Sequence, residues 1–172
     1  VDYSSSSTGI NLTLLDSGAT VNVSHNIGGV ASDSLTNIEG IKGSTTASNT
    51  LIGNNMNNTL IGGNQTDTIK GVSGNNSLSG GAGDDTIFAG TGSDIIDGGA
   101  GNDIINVANM SDLTSADIIT DTSGIDTLYA GTGSDTIDGG AGDDWLDYTD
   151  LASTNVSVNL RNNTATYGSS TD

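Results

Sequence analysis

The sequence predicts an all-β fold, a right-handed parallel β-roll in which short strands coil into a β-solenoid. The first observation is a period of nine residues: GGAGDDTIF, AGTGSDIID and GGAGNDIIN follow one another without a gap from Gly80 to Asn106. The second is that each unit has glycine at positions 2 and 4, aspartate at position 6 and isoleucine at position 8. The third is composition, because 3% aromatic residues are too few for a conventional core. A short fixed period of this content is typical of stacked β coils.

Each unit divides into a turn and a strand. The glycines allow a tight turn with positive φ, and the last three residues form a short strand whose position 8 points inward. Two units make one coil, so we expect unit n to stack on unit n+2. The period runs from residue 44 to 147, with five extra residues at 107–111. Position 8 of the eleven units is predicted to form the core: Leu51, Leu60, Ile69, Leu78, Ile87, Ile96, Ile105, Ile119, Leu128, Ile137 and Leu146.

The aspartate at position 6 indicates metal binding. It places a carboxylate beside turn carbonyls, and such hard oxygen ligands in a flexible arrangement suit Ca²⁺. Glycine and aspartate also make ordinary turns, but here they recur in register. The units resemble the RTX (repeats-in-toxin, hemolysin-type) family, whose consensus is GGxGxDxUx, with U a large aliphatic residue. The resemblance implies calcium between stacked turns, with these metal-site residues: Asp67, Gly81, Gly83, Asp85, Gly90, Gly92, Asp94, Gly99, Gly101, Asp103, Asp117, Asp126, Gly131, Gly133, Asp135, Gly140, Gly142 and Asp144.

Stacking predicts which aspartates become neighbours. One face would join the units that begin at 62, 80, 98, 121 and 139, and the other those at 71, 89, 112 and 130. Six Asp–Asp neighbours result, and we expect four to six bound ions. Two of these neighbours, Asp103 with Asp126 and Asp94 with Asp117, straddle the insertion and are the least secure. The unit at 112 departs most from the consensus, since Ser115 replaces its second glycine.

The polar residues other than the position-6 aspartates are expected to bind calcium weakly or not at all. Asparagine at position 6 offers an oxygen without charge, so Asn49, Asn58 and Asn76 should bind weakly or close their turns by hydrogen bonds. The lone histidine, His25, is expected at the surface. The acids outside position 6 are expected in solvent, with ligation at end sites as the alternative: Asp84, Asp97, Asp138, Asp143 and Asp147.

Charge narrows the classes of partner. The chain has 21 acidic and 3 basic residues, a net charge of −18, and Glu39 is its single glutamate. Nucleic acid and anionic lipid are excluded as partners because phosphate recognition needs clustered cations. Without cysteine, no disulfide or thiol zinc site can hold the fold. Same-sign carboxylates stacked on a thin core repel one another, so we expect a largely disordered chain without calcium and an ordered one with it.

The chain divides into five segments. Residues 1–43 are expected to form irregular β coils, 44–106 the first part of the roll and 107–111 an insertion loop. Residues 112–147 form its second part, and 148–172 begin the next repeat unit or cap the roll. Asp147-Tyr148 aligns with Asp2-Tyr3, so the chain is interpreted as a fragment of a longer tandem array.

The function predicted from these features is structural. The sequence shows no catalytic constellation, and its carboxylates repeat with the period, as ligands would. The family resemblance implies a monomeric module of a secreted bacterial protein such as an adhesin, exported by type I secretion, folding outside the cell or at its surface, and contacting neighbouring repeats of the same chain. The alternative is a helper module of a secreted epimerase, protease or lipase that contacts extracellular polysaccharide. Ice binding by the outward threonines is the remaining alternative.

Overall fold

The computed structural model describes residues 1–16, 20–27, 30–107, 116–131, 135–147 and 157–159, without the side chains of 21–32 and 157–159. The described chain is entirely β, and none of it forms a helix long and apolar enough to cross a membrane. Its strands are β1 (Asn11–Thr13), β2 (Thr20–Ile27), β3 (Val30–Thr36), β4 (Gly40–Lys42), β5 (Thr50–Ile52), β6 (Thr59–Gly63), β7 (Thr68–Lys70), β8 (Ser77–Ala82), β9 (Thr86–Phe88), β10 (Ile95–Ala100), β11 (Ile104–Asn106), β12 (Ile118–Thr120), β13 (Thr127–Tyr129), β14 (Thr136–Asp138), β15 (Trp145–Asp147) and β16 (Ser157–Asn159).

Two seven-stranded sheets carry the repeats. The first sheet has the order β1-β5-β7-β9-β11-β13-β15, and the second sheet has the order β16-β14-β12-β10-β8-β6-β4. All pairs within both sheets are parallel, and successive strands alternate between the sheets. The register puts Thr68 opposite Thr86, and Thr86 opposite Ile104. Unit n therefore stacks on unit n+2, which confirms the predicted solenoid and its two faces.

The core is a double column of aliphatic side chains between the sheets. All eleven predicted position-8 residues are buried, from Leu51 to Leu146, because each is the central residue of a three-residue strand step that points inward. Similar residues lie beside each other on neighbouring strands of the same sheet, such as Ile69 and Ile87. Ala89, Ala130 and Val107 complete the interior at the corners. The N-terminal residues extend the column with Tyr3, Ile10, Leu12, Leu14 and Ile41.

The N-terminal segment contains two kinds of structure. Its beginning and end are solenoid: β1 pairs in parallel with β5, and Asp2 forms a parallel bridge with Lys42. Between them, β2 and β3 form an antiparallel hairpin. The Tyr3 hydroxyl donates to Asp33 Oδ2 at 2.9 Å and so ties the hairpin to the first coil. The sequence prediction of irregular β coils had not separated this hairpin from the roll.

The insertion leaves the stack intact. On its two sides β11 pairs with β13 and β10 pairs with β12, both in parallel and without a register shift. Residues 108–115, with most of the predicted insertion loop, lie outside the described residues, as do 148–156 and 160–172. In the tail, β16 adds one more parallel strand beside β14. The division into segments at 43, 106, 111 and 147 stays a prediction.

Candidate metal centres

The turns that precede the strands bend at glycine. Gly81 and Gly83 have φ of 111° and 109°, a region in which any other residue would be strained. Nine of the ten glycines predicted for the metal turns have positive φ: Gly81, Gly83, Gly90, Gly92, Gly99, Gly101, Gly131, Gly140 and Gly142. The tenth, Gly133, lies outside the described residues. The glycine positions of the period are thus explained by backbone conformation.

Position-6 side chains form two ladders that run along the solenoid. In each step, Oδ1 of one residue accepts the backbone N–H of the position-6 residue one coil earlier. Asp85 Oδ1 accepts from Asp67 N at 2.7 Å, and Asp103 Oδ1 accepts from Asp85 N at 2.7 Å. The first ladder contains Asn49, Asp67, Asp85, Asp103, Asp126 and Asp144. The second ladder contains Asn58, Asn76, Asp94, Asp117 and Asp135.

The ladders continue across the insertion. Asp126 Oδ1 accepts the Asp103 N–H at 2.6 Å, and Asp117 Oδ1 accepts the Asp94 N–H at 2.7 Å. These are the two pairs that the sequence made least secure. The structure brings their members together as closely as any other pair in the ladders.

The second carboxylate oxygen of these aspartates is the unusual feature. Among the described residues, a buried Oδ2 has no hydrogen-bond partner at Asp67, Asp85, Asp103, Asp121, Asp126 and Asp135. A buried polar atom without a partner costs about 1–3 kcal/mol, and more when the group is charged. Five of these six atoms lie in or beside the first ladder, and such a set calls for a cation that replaces the missing donors. Carboxylate oxygens are the ligands that Ca²⁺ takes, so these residues fit that ion.

Space for the oxygens is left by the glycine at position 1. A Cβ placed on Gly80 would lie against Asp85 Oδ2 and 2.5 Å from the carbonyl oxygen of Gly98. A Cβ on Gly62 would meet Asp67 Oδ2 in the same way, and the carbonyl oxygen of Gly80 at 2.5 Å. Each turn therefore gathers a carboxylate oxygen and a carbonyl oxygen of the next coil around a space that a side chain would fill. Two oxygen types that converge in this way suit a hard cation.

The pKa values of the ladder aspartates also favour a cation site. Burial raises the pKa of Asp85 to about 7, and the neighbouring carboxylates of Asp103 and Asp67 add to that rise. Burial also raises the pKa of Asp126 to about 7. The pKa values of Asp67, Asp103 and Asp135 are raised as well, mainly by burial. A metal-free stack near neutral pH thus holds carboxylates that resist ionisation, whereas a divalent cation would stabilise their charged form.

One cluster contains an aspartate that the sequence prediction omitted. Ligand oxygens of Asp103, Asp121 and Asp126 all lie within 4.8 Å of one another, and the three residues are buried. Asp121 occupies position 1 of its unit, where the consensus has glycine, and so was not counted as a ligand. The sequence did hold the signal, since DTSGIDTLY begins with an acid and not with glycine.

The aspartates outside the ladders are placed differently. Asp84, Asp97 and Asp143 are exposed, and Asp138 and Asp147 are half-buried. Asp84 Oδ1 accepts the Asn102 N–H at 2.8 Å on the surface of the turn. The interpretation of these five aspartates as solvated groups, with ligation at end sites as the alternative, stays a prediction. His25 lies in β2, and its side chain is outside the described set.

The outer faces are mixed. Threonines share these faces with Ile95, Ile104 and Ile118, which are exposed. On the first sheet, Lys70 Nζ lies 5.2 Å from the ring centre of Phe88. Trp145, in the last described coil of that sheet, is 43% exposed.

Comparison with known families gives one match. A family model described as RTX calcium-binding nonapeptide repeat (4 copies) matches residues 44–78, 70–105 and 114–148. The matched segments cover more than half of the chain and contain every aspartate of both ladders. A search of curated proteins found no match to this sequence.

Proposed function

Since this chain belongs to the family of RTX calcium-binding nonapeptide repeats, we propose that it is a structural module that folds on binding calcium outside the cell. It is a calcium-binding repeat module with a β-solenoid fold. The observation that supports coupling of folding to calcium is the set of buried Oδ2 atoms without partners in the two ladders. Metal that binds only the folded state adds its binding free energy to folding.

The proposed ligands are the ladder carboxylates and the turn carbonyls beside them. An ion between two coils would take Oδ2 from each of two stacked aspartates, such as Asp67 and Asp85. Six such neighbours occur along the ladders, which supports four to six ions: Asp67 with Asp85, Asp85 with Asp103, Asp103 with Asp126, Asp126 with Asp144, Asp94 with Asp117, and Asp117 with Asp135. The glycines at positions 2 and 4 contribute turn geometry and carbonyl oxygens.

Calcium would also relieve the repulsion of the stack. The chain has a net charge of −18, and successive ladder aspartates are joined by a single hydrogen bond. Two like charges about 5 Å apart repel by about 3 kcal/mol at a protein surface. Four to six divalent ions would neutralise about half of the net charge, placed where the carboxylates are closest.

The proposed location is the cell exterior of a bacterium, reached by type I secretion, in a long protein such as an adhesin. The acidic composition supports this location, because it makes the order of the chain depend on calcium. Such a chain stays unfolded where calcium is scarce and folds where calcium is plentiful. We assign the module no catalytic residue, and its contacts would be with neighbouring repeats of its own chain, as a monomer.

A helper module of a secreted enzyme is the second candidate. The observation that favours it is the exposed indole of Trp145, which shares the outer face of the first sheet with Phe88. Exposed aromatic rings can stack on sugar rings in polysaccharide. A glycan-binding screen with and without calcium distinguishes the two candidates, since only the helper module predicts calcium-dependent binding that Trp145→Ala abolishes.

A calcium titration tests the main proposal. The wild-type chain, Asp85→Ala and the matched control Asp84→Ala would be titrated with Ca²⁺ and followed by circular dichroism and calorimetry. We expect the wild type to gain β signal and to bind four to six ions. Asp85→Ala should bind fewer ions and fold at higher calcium concentration. Asp84→Ala removes an exposed carboxylate and its surface hydrogen bond from Asn102, and it should bind as many ions as the wild type.

Two results would contradict this proposal. One is a full β signal in excess chelator, which would show that the fold needs no metal. The other is equal behaviour of Asp85→Ala and Asp84→Ala, which would show that the ladder carboxylates are not ligands.

A further inference from the structure

Asp121 replaces a glycine in the first ladder's series of turns. On this sheet, the acidic units on either side begin with Gly62, Gly80, Gly98 and Gly139. The unit at 121 alone among them begins with a carboxylate. Asp121 belongs to the coil of Asp126, which stacks on the coil of Asp103, and the inserted segment separates these two coils along the chain.

The side chain of Asp121 is directed into the space between those coils. Its Oδ1 accepts the backbone N–H of Thr122 at 2.6 Å, which fixes the orientation of the carboxylate. Its Oδ2 is buried and, among the described residues, has no hydrogen-bond partner. The residue as a whole is 9% exposed, and Asp103 and Asp126 are 1% and 0% exposed.

Gly98 makes the approach of two of these carboxylates feasible. A Cβ on Gly98 would collide with Asp121 Oδ2 and would lie 2.8 Å from Asp103 Oδ2. The absence of that Cβ lets both oxygens enter the same space. Three ligand oxygens from Asp103, Asp121 and Asp126 consequently lie within 4.8 Å of one another, whereas an ordinary step of the ladder offers two carboxylates.

A purely structural role does not account for this arrangement. The hydrogen bond from Thr122 uses only Oδ1, and the neutral side chain of asparagine or serine could accept it equally well. The buried Oδ2 adds a third negative charge to a space that already holds two. Like charges so close together repel strongly, so an unneutralised cluster would destabilise the fold.

We infer that Asp103, Asp121 and Asp126 form one three-carboxylate metal site, which binds a hard cation more tightly than the two-carboxylate steps and discriminates more strongly in favour of higher charge. This inference rests on the proposed function, because it assumes that the ladder steps bind calcium. Affinity in oxygen sites rises with the number of charged ligands. The attraction of the added carboxylate is one and a half times as large for a trivalent ion as for a divalent ion, because Coulomb energy scales with the product of the charges.

The site would fasten the roll at the place where the period is interrupted. Its three ligands come from the two coils on either side of the insertion, so one ion ties them together. The adjacent steps, which need no such reinforcement, have glycine at position 1.

The test compares the full chain with Asp121→Gly, which restores the residue found in neighbouring units. The probes are Ca²⁺ and Tb³⁺, each titrated alone by calorimetry. In the wild type we expect one site that is about tenfold tighter for Ca²⁺ than the rest. Asp121→Gly should abolish this tighter class and reduce the preference for Tb³⁺ over Ca²⁺. Asp97→Asn is the matched control, because it removes one exposed charge from the neighbouring coil, where Asp97 lies opposite Thr120, and it should change neither quantity.

A second variant keeps the test valid if Asp121→Gly does not fold. Asp121→Asn keeps the oxygen that accepts from Thr122 but removes the charge, and it should also lose the extra preference for Tb³⁺. If either variant reaches the wild-type β signal in calcium and keeps the wild-type affinity and Tb³⁺ preference, the inference is overturned while the proposed function stands. If the wild type itself binds no calcium, both are overturned.

Discussion

The first two members of the first ladder complete their turns by different chemistry. Asn49 stands at position 6 in an early coil, and its Oδ1 accepts the N–H groups of Ser44 and Ile10. Its Nδ2 donates to the carbonyl oxygens of Ser44 and Ala47 and to Asp67 Oδ1. One coil later, Asp67 keeps the ladder hydrogen bond, but its Oδ2 has no partner among the described residues.

We call the turns of Asn49, Asn58 and Asn76 the amide turns, and those of the ladder aspartates the carboxylate turns. Their backbones share one register, since Leu51 lies opposite Ile69 as Ile69 lies opposite Ile87. Hence the period and the core do not distinguish them. What differs is the group that completes the turn: an N–H of the amide in one case and, by our proposal, a calcium ion in the other.

The largest effect should come from removing calcium. In chelator, the amide protons of β7, β9, β11, β13 and β15 should exchange at rates near those of an unfolded chain, because the carboxylate turns lose their cations. The strands β1, β4 and β5 should retain more protection, since their turns are closed by hydrogen bonds. Hydrogen exchange measured by mass spectrometry with and without calcium would show the difference. Equal loss of protection in both regions would break the comparison and indicate one cooperative unit.

The next largest effect should be that of pH on the metal-free chain. Burial raises the pKa of Asp85 and Asp126 to about 7 and that of Asp121 to about 8, from a value of 3.8. The folded state then binds more protons than the unfolded state between pH 4 and pH 8, so stability is greatest at acid pH and falls as pH rises. Circular dichroism of the metal-free protein should show a larger β signal at pH 5 than at pH 8, where the metal-free chain is expected to be largely disordered.

Saturating calcium provides the control for that measurement. Protons compete with the cation for the same oxygens, so the calcium-bound chain should gain stability as pH rises. A metal-free β signal that increases with pH would contradict the raised pKa values.

Converting one carboxylate turn to an amide turn should have a smaller effect. In Asp85→Asn, the side-chain oxygen still accepts the Asp67 N–H, and the new amide can donate to turn carbonyls as Asn76 Nδ2 donates to Gly74 O at 3.0 Å. We expect the free energy of unfolding in chelator to rise by about 1–3 kcal/mol, the cost of the buried oxygen that is removed. Urea denaturation with and without calcium measures both states, and the gain from calcium should shrink. Asp84→Asn is the exposed control, and an equal change there would refute the assignment.

The reverse substitution should have the smallest effect. Asn76→Asp places a carboxylate beside Asp94 in the second ladder and removes the hydrogen bond to Gly74 O. The metal-free chain should lose about 1–2 kcal/mol. In calcium the loss should be recovered by an additional ion, which calorimetry would count. Unchanged stoichiometry would show that two neighbouring carboxylates are not enough to make a site.

Most of the solenoid could be predicted because a single pattern encodes it. Alternation within each strand places Ile87 and its equivalents inside, and the period of nine places unit n on unit n+2, so the sheet order follows. The hairpin of β2 and β3 could not be predicted in this way. Val21, Val23 and Leu35 alternate with polar residues, and that alternation is equally compatible with a parallel coil and an antiparallel pair.

The candidate site was predictable where it follows the consensus and missed where it departs from it. The position-6 aspartates share one spacing, so the ladders could be listed residue by residue from the sequence. The period does not predict Asp121 as a ligand, because the consensus has glycine at position 1. Only the distances among its oxygens and those of Asp103 and Asp126 show that a departure from the repeat contributes to the same cluster.

The close stacking of the ladders also has a mechanical consequence. Neighbouring carboxylate turns are 18 residues apart in the chain, or 23 across the insertion, yet they are joined directly by a hydrogen bond. A strand spacing of about 4.8 Å then separates chain segments that would span about 60 Å if extended. Each coil that folds therefore shortens the end-to-end reach of the polypeptide more than tenfold. A change in calcium concentration would draw together, or release, whatever is attached at the two ends.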